Sequence, residues 1–242
     1  MTPNEGGSQA RLHIVVFCWP RVYDNVIHIC QSVNNLGHRV TVIDASGRAP
    51  CEIRNCHWVS INSDWYYGSK FYYAAKLFDG DLLLQIQGDA YSDNWEAVIA
   101  ACLERFAAFP HLGVWSPEFD NTGWPTRNVF LGPIPGSDLA IVSQTDCIVW
   151  ALRREVVDFL LRLDYTDNNL GWGIDWAAMV GVYGRALIAV RDQRITISHA
   201  AGKGYEVEEA YRQMFAFLNQ LTPPQKALLA VILKSCGQTP FF

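Results

Sequence analysis

The sequence predicts an α/β domain: a mainly parallel central sheet flanked by helices. Three observations carry this reading. In the first half, short apolar, β-branched runs alternate with segments of helical period, as a parallel sheet with right-handed crossovers requires. Half of the 242 residues are hydrophobic and only 18% are charged, enough to bury a substantial core. No internal repeat or low-complexity linker divides the chain.

The elements follow in order. Residues 1–10 (MTPNEGGSQA) are polar and Gly-rich and read as a flexible leader, without the apolar stretch of a signal peptide. Residues 12–17 (LHIVVF) form a strand, and Asp24 can cap a helix over 25–36 that ends at Gly37. Residues 38–43 (HRVTVI) form a second strand with Asp44 at its end, and 57–61 a third. A helix over 69–78 precedes the apolar strand 82–86, which stops at Gln87-Gly88-Asp89. Asp93 suits the cap of a helix over 94–109. Residues 112–116 are a short strand and 118–125 a loop; 129–131 and 139–143 are short strands around GPIPGSD. A strand over 147–151 and a helix over 153–163 lead to the polar loop DYTDNNLGWG. A helix over 174–183 and strands over 186–190 and 195–198 end at His199. After AAGKGY, a helix over 207–221 is broken by Pro223-Pro224, and an apolar helix runs over 225–235.

Composition excludes several classes. Net charge is −5 and no basic block occurs, so nucleic acid is not an expected partner. Seven cysteines with no CxxC pair argue for a reduced, cytoplasmic compartment and against a zinc site. No apolar run approaches the length of a membrane span. The loop after the first strand, CWPRVYD, is not a GxGxxG, and neither a P-loop nor a GxSxG elbow occurs.

In open α/β sheets, ligands sit beyond the carboxyl ends of the strands. Asp44, Asp89 and His199 stand at such ends, and Gly171-Trp172-Gly173-Ile174-Asp175 opens a helix. In this order, with LLLQIQGDAYSDNW, CIVWALRREVVDFL and GWGID, residues 11–205 resemble a GT-A glycosyltransferase of the family 2 kind. The resemblance implies a GT-A (nucleotide-diphospho-sugar transferase) fold and an inverting, metal-dependent transfer. The donor would be a UDP or GDP sugar and the acceptor a glycan or lipid-linked molecule, in polysaccharide or glycan building. It implies that Asp89 and His199 hold Mn²⁺ or Mg²⁺, and imidazole favours manganese. Asp175 would be the base. Asp44, Trp19, Gly88, Lys203 and Tyr205 would contact the donor, with Gly88 leaving room for it; Trp172, Gly173, Glu118, Asp120 and Trp124 would contact the acceptor. Gln87 stands where the metal-binding triplet often begins with Asp, and Ile174 where Glu is common. The alternative is a degenerate GT-A domain that binds nucleotide or sugar without turnover; a nucleotidyltransferase is a weaker rival.

Plainer readings accompany these. Asp175 can cap its helix, and His199 can be a satisfied core histidine. Trp172, Trp65, Tyr66 and Tyr67 read equally as core and as pocket walls. The segment 206–242 is expected to be a helical extension packed on the domain, with a homodimer or a peripheral membrane contact through KALLAVILK as the alternative.

Overall fold

A computed structural model describes residues 10–200 and 204–240. β1 (Leu12–Cys18) pairs in parallel with β2 (Arg39–Asp44) and β4 (Leu82–Gln87), and β2 with β3 (Cys56–Ser60). All seven residues of β1 are buried, as expected of a parallel strand covered on both faces. β9 (Val149–Arg153) then runs antiparallel between β4 and β6 (Leu112–Phe119). β10 (Ile188–His199) is parallel to β6, and β8 (Leu139–Val142) and β7 (Phe130–Pro133) complete the sheet in antiparallel fashion. Because β9 opposes both of its neighbours, β6 and β10 point the same way as β4. The carboxyl ends of β1, β2, β4, β6 and β10 therefore share one edge of the sheet, where a ligand crevice is expected.

Helices cover both faces. α1 (Tyr23–Val33) and α3 (Trp95–Ala108) pack on one side. α2 (Tyr67–Leu77), α5 (Arg154–Leu160), α6 (Ile174–Tyr183), α7 (Val207–Leu218) and α8 (Pro223–Ser235) pack on the other. The core admits polar groups only where they are bonded. Gln85 in β4 is fully buried, and its carbonyl accepts from Trp150 Nε1 at 2.7 Å and from the Tyr67 hydroxyl at 2.8 Å.

Several sequence expectations are corrected. Asp24 lies inside the first turn of α1 and makes an ion pair with Arg48 at 3.4 Å instead of capping. Asn94, not Asp93, caps α3: its Oδ1 accepts from Ala97 N at 2.9 Å, the reach of a residue directly before a helix that starts at Trp95. The two late strands are one, β10, with a register shift between Asp192 and Thr196. Pro223 and Pro224 begin α8 inside a Thr222–Gln225 capping box, where a missing N–H costs nothing. Residues 118 and 119 belong to β6. β5 (Ala90–Tyr91), which pairs with the end of β10, and α4 (Thr126–Val129) were not expected. Among the described residues, no helix is long and apolar enough to cross a membrane.

Candidate functional site

The first group of residues lies beyond β1 and β2. Asp44 is 1% exposed; its Oδ1 accepts from Ser46 N at 2.7 Å, while its Oδ2 is buried without a partner. Trp19 follows β1, and Lys70 of α2 holds its ammonium 5.2 Å from the centre of the indole. Lys70 is 6% exposed, and its ammonium makes no ion pair among the described residues. Burial pulls its pKa down to about 8 against the upward pull of Asp44. A buried cation thus feels the charge of Asp44, whose orphaned carboxylate oxygen it does not pair with. Such groups are costly to keep unless a ligand uses them.

The second group joins β4 to β10. β5 pairs Ala90 with His199, which brings the residue after Gly88 to the end of the last strand. His199 Nε2 lies 3.3 Å from Asp89 Oδ2, and Asp89 Oδ1 is buried without a partner. Burial lowers the imidazole pKa, but the hydrogen bond and charge of Asp89 outweigh it and hold the pKa above its ordinary value. Asp120, exposed after β6, accepts the His199 backbone N–H at 3.0 Å, so it fixes the histidine. Gln87 donates to the Cys147 carbonyl at 3.0 Å and ties the turn to the start of β9. Gly88 is needed for packing: a Cβ there would lie 2.6 Å from the Phe17 carbonyl and 2.6 Å from Val22 Cγ2. The expectation that this glycine leaves room for the donor is corrected, because that space is filled by β1 and α1.

The third group is the turn before α6. Gly171 and Gly173 have φ of 82° and 88°, the left-handed region that a side chain disfavours. They form the turn that opens α6, and Asp175 in its first turn faces Gln144. Gln144 Nε2 donates to Asp175 Oδ2 at 3.0 Å, and Trp176 N donates to Oδ1 at 2.9 Å. Burial pushes the Asp175 carboxyl up to about 7, against its bond from Trp176 N, and the charge of Asp146 adds to the rise. Trp172 donates to the Tyr205 hydroxyl at 2.7 Å. Lys203 lies outside the described residues.

Glu118 and Trp124 face inward as much as outward. Arg191, fully buried in β10, lies 3.4 Å from Glu118, donates to the Trp124 carbonyl at 3.0 Å and reaches the Thr145 hydroxyl at 3.2 Å. Thr126 donates to the other Glu118 oxygen. Both oxygens are thus engaged, and the 118–126 loop is clamped to β10. A cavity of about 390 Å³ opens beside it, lined by Glu118, Asp120, Thr122 and Arg127 among others. A larger groove of about 700 Å³, lined by Ala10, His38, Asp81 and residues of α3, lies at the opposite end of β1 and β4 and contains none of the nominated residues.

Sequence reading missed Lys70, Asp146, Gln144 and Arg191. Asp146 accepts from the Thr122 hydroxyl and feels the charges of both Arg191 and His199. Its charge acts on both His199 and Asp175. Among the described residues no three His, Cys, Asp or Glu side chains converge as a metal site. The Asp89–His199 pair still fits a divalent cation: Asp89 Oδ1 is an orphaned buried acceptor beside an imidazole nitrogen, and such ions take further ligands from phosphate and water.

No protein-family model and no curated protein matches the sequence. Solved structures do match. S. aureus TarS 1–349 in complex with UDP-GlcNAc is 14% identical, with a TM-score of 0.62 over 93% of this chain and 72% of that one. The mannosyltransferase PcManGT from Pyrobaculum calidifontis, with GDP-Man and Mn²⁺, is 13% identical, with a TM-score of 0.59 over 95% and 74%. Glucosyl-3-phosphoglycerate synthase from Mycobacterium tuberculosis, with Mn²⁺, UDP-Glc and phosphoglyceric acid, is 16% identical, with a TM-score of 0.57 over 95% and 80%. With β1, β2 and β4 side by side and the acids at their carboxyl ends, these likenesses show that the chain has the GT-A fold.

Proposed function

We propose that the protein is a glycosyltransferase that uses a nucleotide-diphosphate sugar and a divalent cation, and transfers the sugar with inversion. The observation that carries this reading is the pairing of Asp89 and His199 at the junction of β4, β5 and β10, with the half-buried Asp175 and the pair both under the charge of Asp146. The solved structures named above hold UDP or GDP sugars, two of them with Mn²⁺, which supports the same ligands here.

Asp44, Trp19 and Lys70 bind the nucleotide beyond β1 and β2. The orphaned Asp44 Oδ2 accepts a donor N–H or O–H, and Lys70 supplies positive charge. Asp89 and His199 hold Mn²⁺ or Mg²⁺, which when bound neutralises the diphosphate leaving group. Asp175 takes the proton from the acceptor hydroxyl through Oδ1 or Oδ2. Gln144 and the Trp176 N–H hold the carboxyl in place for this, and its raised pKa makes it a competent base near neutrality. Asp120 and Arg191 act through others: one fixes His199, and the other fixes the loop that carries Glu118 and Trp124. The acceptor is a glycan or lipid-linked molecule, and the enzyme works in the cytoplasm. Residues 11–205 form the catalytic unit, with the two last helices as its extension.

Release of nucleoside diphosphate from a panel of UDP and GDP sugars, with Mn²⁺ and pooled mono- and oligosaccharide acceptors, tests this reading. One donor should turn over, and Asp175→Asn should lower the rate by about 10²–10⁴-fold. Equal turnover by wild type and Asp175→Asn would remove the base assignment.

A further inference from the structure

Two thiols meet where an edge strand of the sheet rests on a helix. β3 pairs only with β2, and its first residue is Cys56. Cys30, toward the end of α1, is fully buried. Both belong to the same apolar cluster, in which Cys56 is only partly buried. Cys56 Sγ lies 3.9 Å from the Cys30 carbonyl oxygen, and the two thiols are hydrogen-bonded to each other. The ligand edge is at the other end of β3, because β3 runs parallel to β2.

The backbone holds this meeting from both sides. Asn55, directly before Cys56, takes a left-handed φ of 64°. Its Nδ2 donates at 2.9 Å to the carbonyl of Asn34, the last residue of the α1 cap. Cys56 N donates to the Ile53 carbonyl at 3.1 Å, and the ladder sets Cys56 opposite Val40. The start of β3 is thus fixed on the end of α1 without help from sulfur.

The two thiols are unequal. The bond with Cys56, and then burial, push the Cys30 thiol well up. Cys56 reaches solvent, and its bond with Cys30 holds its thiol below the ordinary value against partial burial. An accessible thiol of this kind beside a second, buried one is the arrangement of a peroxide-reactive cysteine and its resolving partner. Burial pushes the thiols of Cys18, Cys102 and Cys147 up, which leaves them poor nucleophiles. In a reducing compartment such a pair stays open and closes only under oxidant.

We propose that Cys56 and Cys30 form an oxidation site, which hydrogen peroxide closes into an intramolecular disulfide between β3 and α1. The Cys56 thiolate attacks one peroxide oxygen, the O–O bond breaks and hydroxide leaves, so Cys56 becomes a sulfenic acid. The Cys30 sulfur then attacks the Cys56 sulfur. The S–O bond breaks, and the departing hydroxyl takes the Cys30 proton and leaves as water. Two thiols give up two electrons, and one peroxide is reduced to two waters. The bridge ties the edge strand to its helix, and a dithiol reductant reopens it.

The test treats the reduced protein with about one molar equivalent of hydrogen peroxide, then counts thiols after denaturation. The seven thiols of the wild type should fall by two, peptide mapping should join Cys30 to Cys56, and dithiothreitol should restore the full count. Cys56→Ser should lose no thiol under the same treatment, while melting as the reduced wild type does. Cys30→Ala should stop at the sulfenic acid, with dimedone labelling Cys56. An unchanged thiol count in the wild type, a bridge to Cys51 or between two chains, or dimedone on another cysteine would overturn the assignment.

Discussion

Asp175 answers to two opposed demands. Its burial raises the carboxyl to about 7, which suits a base but taxes folding once the group ionises. The folded pKa lies above the unfolded one, so its contribution to stability is fully present below about pH 4 and is lost as pH rises to about 7. Asp175→Asn should therefore melt at a higher temperature than wild type at pH 8, with the gap closing toward pH 4; a gap independent of pH would contradict the buried-carboxylate account. The wild-type rate should rise with pH through about 7, as this residue loses its proton. Groups of this kind differ in how far the sequence announces them. Asp89, Asp175 and His199 stand at the ends of strands or the start of a helix, where periodicity stops, and can be nominated from the sequence. Lys70 cannot: it sits mid-helix among Tyr and Ala, and only the packing of α2 against Trp19 turns it inward. Asp146 and Gln144 lie in the short polar stretch SQTD, which reads as an ordinary loop until Thr122, Arg191 and Asp175 surround it.

At the scale of elements, β10 carries the most. It reaches from β6 and β8 at one end to β5 at the other, and so delivers His199 to Asp89. Asp192 holds its register shift. It is fully buried, bonds Arg105 of α3 at 2.9 Å, lies 3.4 Å from Trp115 Nε1 and accepts from Arg194 N at 3.2 Å. Removal of one partner of a buried ion pair leaves the other charge unmatched. Asp192→Ala should cost about 3–5 kcal/mol in urea denaturation. A loss under about 1 kcal/mol would show that β10 is held by its ladder alone. The sequence reads β10 as two strands because Asp192, Gln193 and Arg194 interrupt the apolar pattern at this shift. β5 is only two residues long, too short to leave any pattern, yet it makes the junction on which the metal reading depends.

Over the whole molecule, the order of strands and helices in the first half was legible, because β-branched runs and helical spacing alternate there without ambiguity. The antiparallel insertion of β9 between β4 and β6 was not, since an apolar strand reads the same in either direction. That insertion lets β4, β6 and β10 present their carboxyl ends together, and the residues proposed to bind donor and metal gather on one edge as a result. The central claim is that this edge binds a nucleoside diphosphate through Asp89. Calorimetric titration of UDP and GDP, with Mn²⁺ and with EDTA, on wild type and Asp89→Ala tests it most directly. One nucleotide should bind wild type in Mn²⁺, weaken at least tenfold (about 1.4 kcal/mol) in EDTA, and weaken similarly in Asp89→Ala. Binding of neither nucleotide under either condition, or equal binding by Asp89→Ala, would contradict the account.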